Sequence, residues 1–536
     1  MVLERAYWER VEPEPVIETT VGGLLRAAAA ATPNRTALVA GVPEPDQRRR
    51  WSFAEVLAEA ERAARSLLTQ FEPGEHVAVW APNLPEWVLL EMAAGLAGLV
   101  LVTVNPAFRP GELEFVLRQS RAAGIFYVPE FRTNQMAAAL SEVRGNLPEL
   151  RETVSFADWK AYLELGDDAE PLPEVRPDAL AQIQYTSGTT GFPKGACLHH
   201  RGIVNNARFT ADLFEVREGD VWLNPMPLFH TGGCVLGALG ALHARATQIP
   251  VLAFDAGLVL ELIESEGASV MGGVPTMLIA MTEHPDFARR DLGSLRSVLS
   301  GGSTVPAPLV RQLESSLHIR FGIVFGQTEA SPVITQTRLS DTPEDKAETI
   351  GQPHPHQDVK VIDPATGVVI GIGEVGEICC RGYNVMLGYF ELPEATRDAI
   401  DADGWLHTGD LGSMDGRGYL TIEGRLRDMV IRGGENLYPR EIENLLLTHP
   451  GVAEVAVIGV PDARWGEELA AVVRRAVGQP DASGDELHGY VRERLAPQKA
   501  PRIWAFVDTF PLTPSGKIQK YVLRDRIEAG ELPLST

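Results

Sequence analysis

Tyr185-Thr-Ser-Gly-Thr-Thr-Gly-Phe-Pro-Lys-Gly195 crowds five hydroxyl side chains, three glycines and one lysine into a single short stretch. Glycine permits positive φ and close backbone approach, so successive N–H groups can turn toward an anion. The Ser and Thr hydroxyls add neutral donors, and Lys194 adds a mobile positive charge. This is the chemistry of a phosphate cradle. It departs from the Walker pattern, because Lys194 follows Pro193 and precedes Gly195 rather than Ser or Thr. No hydroxyl after the lysine is available to a metal, so a metal ligand has to come from elsewhere. A polar connection between Ile183 and Ala196 would have the same composition, so the reading turns on what else the chain carries.

The chain has 536 residues, too many for one core, and predicts several domains or subdomains. Its formal net charge of -24 argues against nucleic acid and against an anionic membrane surface as general partners. An anionic ligand must then be held by local groups. The four cysteines, Cys197, Cys234, Cys379 and Cys380, form no CxxC pair, so neither a zinc site nor a disulfide framework is indicated, and a reducing, cytoplasmic setting is expected. The N-terminal residues lack an apolar signal core. The longest apolar run, Met92 to Val104, is too short to span a bilayer and reads as a helix end running into a strand. Oligomeric state stays open, a homodimer included.

Apolar residues recur at helical spacing in Gly22 to Ala31 and Phe53 to Gln70. His76 to Ala81 reads as a buried strand, Leu84 to Ala97 as a helix, Leu99 to Val104 as a strand and Pro110 to Ser120 as a helix. This alternation predicts a parallel α/β sheet. His199 to Leu213 reads as a helix, and Trp222 to Leu228, Thr247 to Leu252 and Ser269 to Gly273 as strands. After about Asp410 the pattern changes to short strands (Arg417 to Glu423, Met429 to Ile431, Val452 to Val460) and charged helices (Pro439 to Thr448, Ser483 to Leu495). Ser483 and Glu486 are spaced as a capping box. The expected fold is α/β: a large N-terminal domain of several subdomains over residues 1–424, with mostly parallel sheets, and a small mobile α+β domain over residues 425–536.

Three further stretches carry chemistry. In Phe325-Gly-Gln-Thr-Glu-Ala330, Glu329 offers hard oxygens to Mg²⁺ and Thr328 a donor to phosphate, although a loop-capping carboxylate would look the same. In His407-Thr-Gly-Asp-Leu411, Asp410 has the chemistry to accept both hydroxyls of a ribose, with Arg425 in support; a turn aspartate and a solvated arginine are the plain alternatives. Near the C-terminus, Thr513-Pro-Ser-Gly-Lys-Ile-Gln-Lys520 presents Lys517 from a tight loop, where a lysine is ordinarily a surface charge.

Taken in order, Thr-Ser-Gly-Thr-Thr-Gly-x-Pro-Lys-Gly, Gly-Gln-Thr-Glu, Thr-Gly-Asp, Gly-Arg-x-x-Asp and the terminal Pro-x-Gly-Lys resemble the adenylate-forming superfamily of acyl-CoA synthetases, peptide-synthetase adenylation domains and luciferases. The resemblance covers nearly the whole chain. It implies that Thr186, Ser187, Gly188, Thr189, Thr190 and Lys194 hold the ATP β- and γ-phosphates. It implies that Gly326, Gln327 and Thr328 lie against adenine and the α-phosphate, with Glu329 on Mg²⁺, and that Ser300 to Thr304, Gly302 included, runs between adenine and the acyl pocket. Asp410 and Arg425 match ribose ligands, and Lys517 matches the lysine bridging the substrate carboxylate and the α-phosphate. Arg427 falls at the hinge position, where relatives often carry Asp or Lys. In the second half-reaction, the resemblance implies, the small domain rotates and brings Gly433, Gly434, Glu435 and Asn436 over the path of the CoA pantetheine. A carboxylate is a weak nucleophile meeting another anion, so charge neutralisation matters more than a base, and removing one such group should cost on the order of 3 kcal/mol.

Pro227-Leu-Phe-His-Thr-Gly-Gly-Cys-Val235 resembles the lining of the acyl pocket, with His230 either gating it or simply satisfied by backbone. Leu228 to Gly240 contains no carboxylate to meet an amino-acid ammonium. Gly232, Gly233, Gly237, Ala238 and Gly240, with Gly301 and Gly302, are expected to leave room for an acyl chain. With Gly-Glu-Asn-Leu-Tyr-Pro-Arg-Glu-Ile-Glu, these features look most like bacterial medium- to long-chain fatty-acid CoA ligases. A ligase for aryl or other carboxylic acids, and an acyl-AMP ligase loading a carrier protein, stay open. An idle ATP-binding regulator is disfavoured by the presence of Lys194, Glu329, Asp410 and Lys517 together.

Overall fold

Strand His76–Trp80 and strand Val100–Val104 are joined by helix Pro85–Ala97 and run parallel, His76 opposite Val100. The helix is buried almost all round and stops at Gly98, whose φ of 69° is left-handed and favours glycine. This unit repeats outward in the computed structural model of the chain, which describes all residues except 1–2, 168–169, 187–192, 303–304, 434, 463, 477–481, 513–517 and 536, and not the side chains of 436 and 535.

The described chain packs as two compact units. The larger comprises Glu9–Val359 and Cys380–His407. It holds a seven-stranded sheet, in spatial order Gly388–Tyr389, Lys194–His199, Leu180–Thr186, Val100–Val104, His76–Trp80, Gly124–Tyr127 and Glu152–Ser155. The last five are mutually parallel, as the alternation of strand and helix predicts, and the first two are antiparallel additions. A nine-stranded sheet in the same unit has a parallel centre running through Thr247–Pro250, Val221–Asn224, Val270–Gly273, Ser297–Gly301 and Arg320–Gly326. Helix Phe53–Leu68 shows why these helices form where they do. Ser52 and Glu55 make a reciprocal capping box at its start, and Phe53, Val56, Ala60, Ala63, Ala64 and Leu67 bury one stripe.

The smaller unit comprises Met1–Trp8, Lys360–Cys379 and Thr408–Thr536. It is built on a five-stranded sheet and a six-stranded sheet. In the latter, Val452–Asp462 and Gly466–Arg475 form a long antiparallel pair, covered by helices Pro439–Leu446, Gly484–Arg492 and Lys520–Glu528. Burial there falls into two apolar clusters, one containing Ile442, Leu446 and Val491, the other Leu523 and Ile527.

Three local expectations change. The strand expected over Trp222 to Leu228 ends at Asn224, because Pro225 and Pro227 have no N–H for a ladder. The strand expected over Arg417 to Glu423 begins at Leu420. Asp415 Oδ1 accepts from the N–H groups of Arg417 and Tyr419, which makes the preceding residues a turn. Ser483 does cap its helix through the Glu486 N–H, whereas the Glu486 carboxylate turns to His449 at 3.5 Å. No helix among the described residues is long and apolar enough to cross a membrane.

Candidate active site

Parallel strands deliver the loops that follow them to one edge of a sheet, the usual place for a ligand in such folds. Strands Ser297–Gly301 and Arg320–Gly326 are parallel neighbours with Gly301 opposite Val324, so Gly302 and Gly326-Gln327 emerge side by side. Gly302 has φ 77°. A Cβ on Gly326 would lie 1.9 Å from the Pro332 carbonyl oxygen, so only glycine lets the chain fold back there. The turn is closed by the Gln327 N–H donating to the same oxygen at 2.9 Å. Thr328–Ala330 then forms one 3-10 turn in which Thr328 and Glu329 are both buried.

Glu329 meets two other stretches of the larger unit, one around Thr186 and one over Met386 to Tyr389. Tyr389 OH donates to its Oε1 at 2.7 Å, and Thr186 Oγ1 approaches the same oxygen at 3.5 Å. Its carbonyl oxygen accepts the Met386 N–H at 2.9 Å. Thr186 and Lys194 sit opposite each other at the base of the hairpin that carries the glycine-rich loop. Lys194 Nζ lies 5.2 Å from the centroid of the Tyr389 ring, within cation–π range. Burial, and then the Glu329 charge, push the Tyr389 phenol well above the usual tyrosine range, so it stays a donor. Ser187, Gly188, Thr189 and Thr190 lie outside the described residues, as do Gly434 and Lys517.

Tyr185, which opens the glycine-rich stretch, faces away from Thr186. Strand alternation sends Gln182, Gln184 and Thr186 to one face and Tyr185 to the other. There its hydroxyl bonds Gln119 and the Val116 carbonyl.

In the smaller unit, Asp410 and Arg425 face each other across an antiparallel pair, with Arg425 Nε 2.9 Å from Asp410 Oδ1. Asp410 is buried, and its N–H donates to Thr408 Oγ1. Burial, and then the Arg425 charge, lower the Arg427 guanidinium below its usual range. Gly433 has φ 61°, and a Cβ there would lie 2.8 Å from the Trp465 ring. Its N–H donates to the Trp465 carbonyl, so ring and loop are fixed to one another.

The stretch expected to line an acyl pocket is shaped differently from the expectation. Residues Gly232–Leu239 form a π-helix. His230 lies two residues before its start, with Nδ1 accepting the Gly232 N–H at 3.2 Å. Three of the expected glycines, Gly233, Gly237 and Gly301, are filled rather than open. A Cβ on Gly233 would meet the Pro227 carbonyl oxygen at 2.2 Å, one on Gly237 would meet Asn224 Nδ2 at 2.2 Å, and one on Gly301 would meet the Val324 carbonyl oxygen at 2.4 Å. They let backbones approach and do not themselves leave space for a chain. Behind the helix runs a buried polar ladder. Gln184 Nε2 approaches Cys234 Sγ at 3.1 Å and donates to Gln182 Oε1 at 2.8 Å, and Gln182 Nε2 donates to Glu91 Oε1 at 2.7 Å. Burial pushes the Glu91 carboxyl up to about 8, so it is largely protonated at neutral pH.

Tyr389 and Glu91 are the residues that sequence reasoning missed. Gly388-Tyr-Phe-x-x-Pro-Glu-Ala-Thr396 carries a signal, since a glycine before an aromatic and a Pro-led helix mark a fixed turn, but nothing in it names the partner of the tyrosine.

The chain matches the family described as AMP-binding enzyme over residues 25–390, and the AMP-binding enzyme C-terminal domain over residues 441–517. It is 41% identical to YngI of Bacillus subtilis (strain 168), a protein whose name assigns it provisionally to the acyl-CoA synthetases, across 95% of this chain and 97% of that one. It is 36% identical to the mitochondrial medium-chain acyl-CoA ligase ACSF2 of Danio rerio, across 98% and 91% of the two chains. Among solved structures, ATP-bound MatB from Rhodopseudomonas palustris superposes with a TM-score of 0.87 at 29% identity, covering 95% of this chain and 99% of the other.

Proposed function

Since the chain belongs to the adenylate-forming superfamily, as an AMP-binding enzyme and an acid–thiol ligase of the acyl-CoA synthetase type, we propose that it activates a medium- or long-chain fatty acid to acyl-AMP and passes the acyl group to CoA. The observation that carries this reading is the pairing of one buried carboxylate, Glu329, with one lysine, Lys194, about a shared tyrosine beside the glycine-rich hairpin. That arrangement suits a nucleotide triphosphate: a lysine for phosphate and a carboxylate for its metal.

Thr186 to Thr190 and Lys194 hold the β- and γ-phosphates in this reading, Gly302, Gly326 and Gln327 flank adenine, Thr328 donates to the α-phosphate, and Asp410 with Arg425 takes the ribose. The donor set fits Mg²⁺. Glu329 offers carboxylate oxygen, Thr186 adds a hydroxyl 3.5 Å from it, and no soft ligand joins them among the described residues. Mg²⁺, when bound by Glu329, neutralises phosphate charge. Lys517 aligns the acid against the α-phosphate. An acid oxygen forms the new bond to α-phosphorus while the bond to the bridging oxygen breaks and pyrophosphate leaves. The segment from Arg425 onward, a mobile domain, then brings Gly433 and Gly434 to CoA, whose thiolate attacks the acyl carbonyl and expels AMP.

A fatty acid is favoured over an amino acid by charge. Leu228 to Gly240 holds no carboxylate, and the carboxyl that the buried ladder places behind Cys234, Glu91, is largely neutral at neutral pH. Medium length is favoured by the resemblance to ACSF2. The test is thioester formation with ATP, Mg²⁺ and CoA across acids from acetate to palmitate, with benzoate and cinnamate. A maximum among medium or long chains is expected. A preference for an aryl acid, or acyl-AMP that never reaches CoA and loads only a carrier protein, would overturn the reading.

A further inference from the structure

Tyr389 is fixed from four directions. Its backbone pairs with Ala196, in the strand that leaves the glycine-rich loop. Its N–H donates to Thr396 Oγ1 at 2.9 Å, at the far side. Gly388, with φ 136° and a virtual Cβ 2.7 Å from Thr396, sets the approach that only glycine allows. Phe390 N–H donates to the Gly195 carbonyl at 2.8 Å, locking the next residue to the loop's exit. A side chain so held has little freedom to choose its partner, and this one reaches two: Glu329 through its hydroxyl and Lys194 through its ring face.

The hydrogen bonding at Glu329 is one-sided. Tyr389 and Thr186 both converge on Oε1, and Oε2 takes no hydrogen bond among the described residues. The Tyr389 hydroxyl at 2.7 Å, with the Thr186 hydroxyl at 3.5 Å on the same side, orients the carboxylate and leaves its second oxygen to a cation. Lys194 likewise makes no ion pair with a carboxylate among the described residues, and its ammonium lies over the Tyr389 ring, 5.2 Å from the centroid. One side chain thus engages both groups, the lysine at its ring face and the carboxylate at its hydroxyl.

We propose that Tyr389 is a positioning residue for adenylation: its hydroxyl presents Glu329 Oε2 to the nucleotide's metal, and its ring keeps Lys194 available to phosphate. The proposal rests on the reading of Glu329 as the metal carboxylate and of Lys194 as a phosphate ligand, and the two halves separate by substitution. Tyr389→Phe removes the hydroxyl and keeps the ring. Tyr389→Leu removes both.

The experiment measures Mn²⁺ binding to the enzyme–ATP complex by electron paramagnetic resonance, and metal-free ATP binding by calorimetry, on the full chain. Wild type, Tyr389→Phe, Tyr389→Leu and Glu329→Gln are compared, each checked by circular dichroism. Tyr389→Phe is expected to weaken Mn²⁺ binding about tenfold and leave metal-free ATP binding unchanged. Tyr389→Leu is expected to weaken both. Glu329→Gln should weaken Mn²⁺ binding at least as much as Tyr389→Phe. If Glu329→Gln weakens Mn²⁺ binding and Tyr389→Phe does not, the tyrosine proposal fails alone. If neither does, the metal reading of Glu329 fails and the proposal falls with it. A Tyr389→Leu variant that binds metal-free ATP like wild type overturns the part concerning Lys194.

Discussion

The Glu329 cluster and the Asp410–Arg425 pair are both carboxylates held by neighbours, yet they are built in opposite ways. Glu329 takes neutral donors, Tyr389 and Thr186, from segments 60 and 143 residues away in sequence. Among the described residues, no cation of the protein pairs with it. Asp410 takes a cation, Arg425, from the next strand of one hairpin, 15 residues on. The first site is polarised and incomplete, which is what a metal or phosphate needs. The second is already balanced, and its arginine, with a side chain 43% exposed, can swing to water or to a ligand hydroxyl at little cost. The difference predicts that damage to the first site appears in catalysis and damage to the second in nucleotide affinity.

The largest effect should follow Glu329→Gln, which keeps shape and removes charge. ATP–pyrophosphate exchange should fall by about a hundredfold or more, as for loss of one preorganised electrostatic group, with the thermal unfolding midpoint little changed. Exchange within a few-fold of wild type would remove the distinction between the two sites. Asp410→Asn should act instead on affinity, with KM for ATP rising about tenfold and kcat largely kept. A matching fall in kcat would make it part of the chemistry.

Glu91 gives a third contrast, a carboxyl with neither cation nor metal. Its folded pKa of about 8 lies above the ordinary 4.5, so the folded state keeps a proton that the unfolded state loses between those values. Its contribution to stability is full below pH 4.5 and is lost as pH rises toward 8, at no more than about 1.4 kcal/mol per pH unit. Glu91→Gln keeps a hydrogen-bonding amide without the titration. In urea unfolding, its stability relative to wild type should therefore rise from pH 5 to pH 8. A difference independent of pH would show that Glu91 is ionised in the fold. The smallest effect is expected from Arg425→Gln: about 0–1 kcal/mol of stability, as for exposed ion pairs, with a few-fold rise in KM for ATP. A larger loss of stability would mean that the pair supports the hairpin.

Much of this was legible in order. The alternation from His76 to Ser120 announces the parallel sheet because a strand buried on both faces and a helix buried all round leave continuous apolar runs. Thr186, Lys194 and Glu329 stand out by residue type. Tyr389 does not, since its role depends on a carboxylate brought from 60 residues away. Gly233 and Gly237 were misread for a related reason. A sequence shows that a Cβ is missing but not what occupies its place, and at Gly233 and Gly237 the occupant is the protein itself. Glu91 gave no sign at all, because one carboxylate in an apolar helix looks like an exposed position until its burial is known.

The measurement closest to the central claim is a single turnover of the wild-type enzyme with octanoate, ATP and Mg²⁺, followed by mass spectrometry before and after CoA is added. The account predicts octanoyl-AMP and pyrophosphate in the first interval, then octanoyl-CoA and AMP in the second. ADP and phosphate in place of AMP and pyrophosphate, or no acyl-adenylate with any chain from acetate to palmitate, would contradict it.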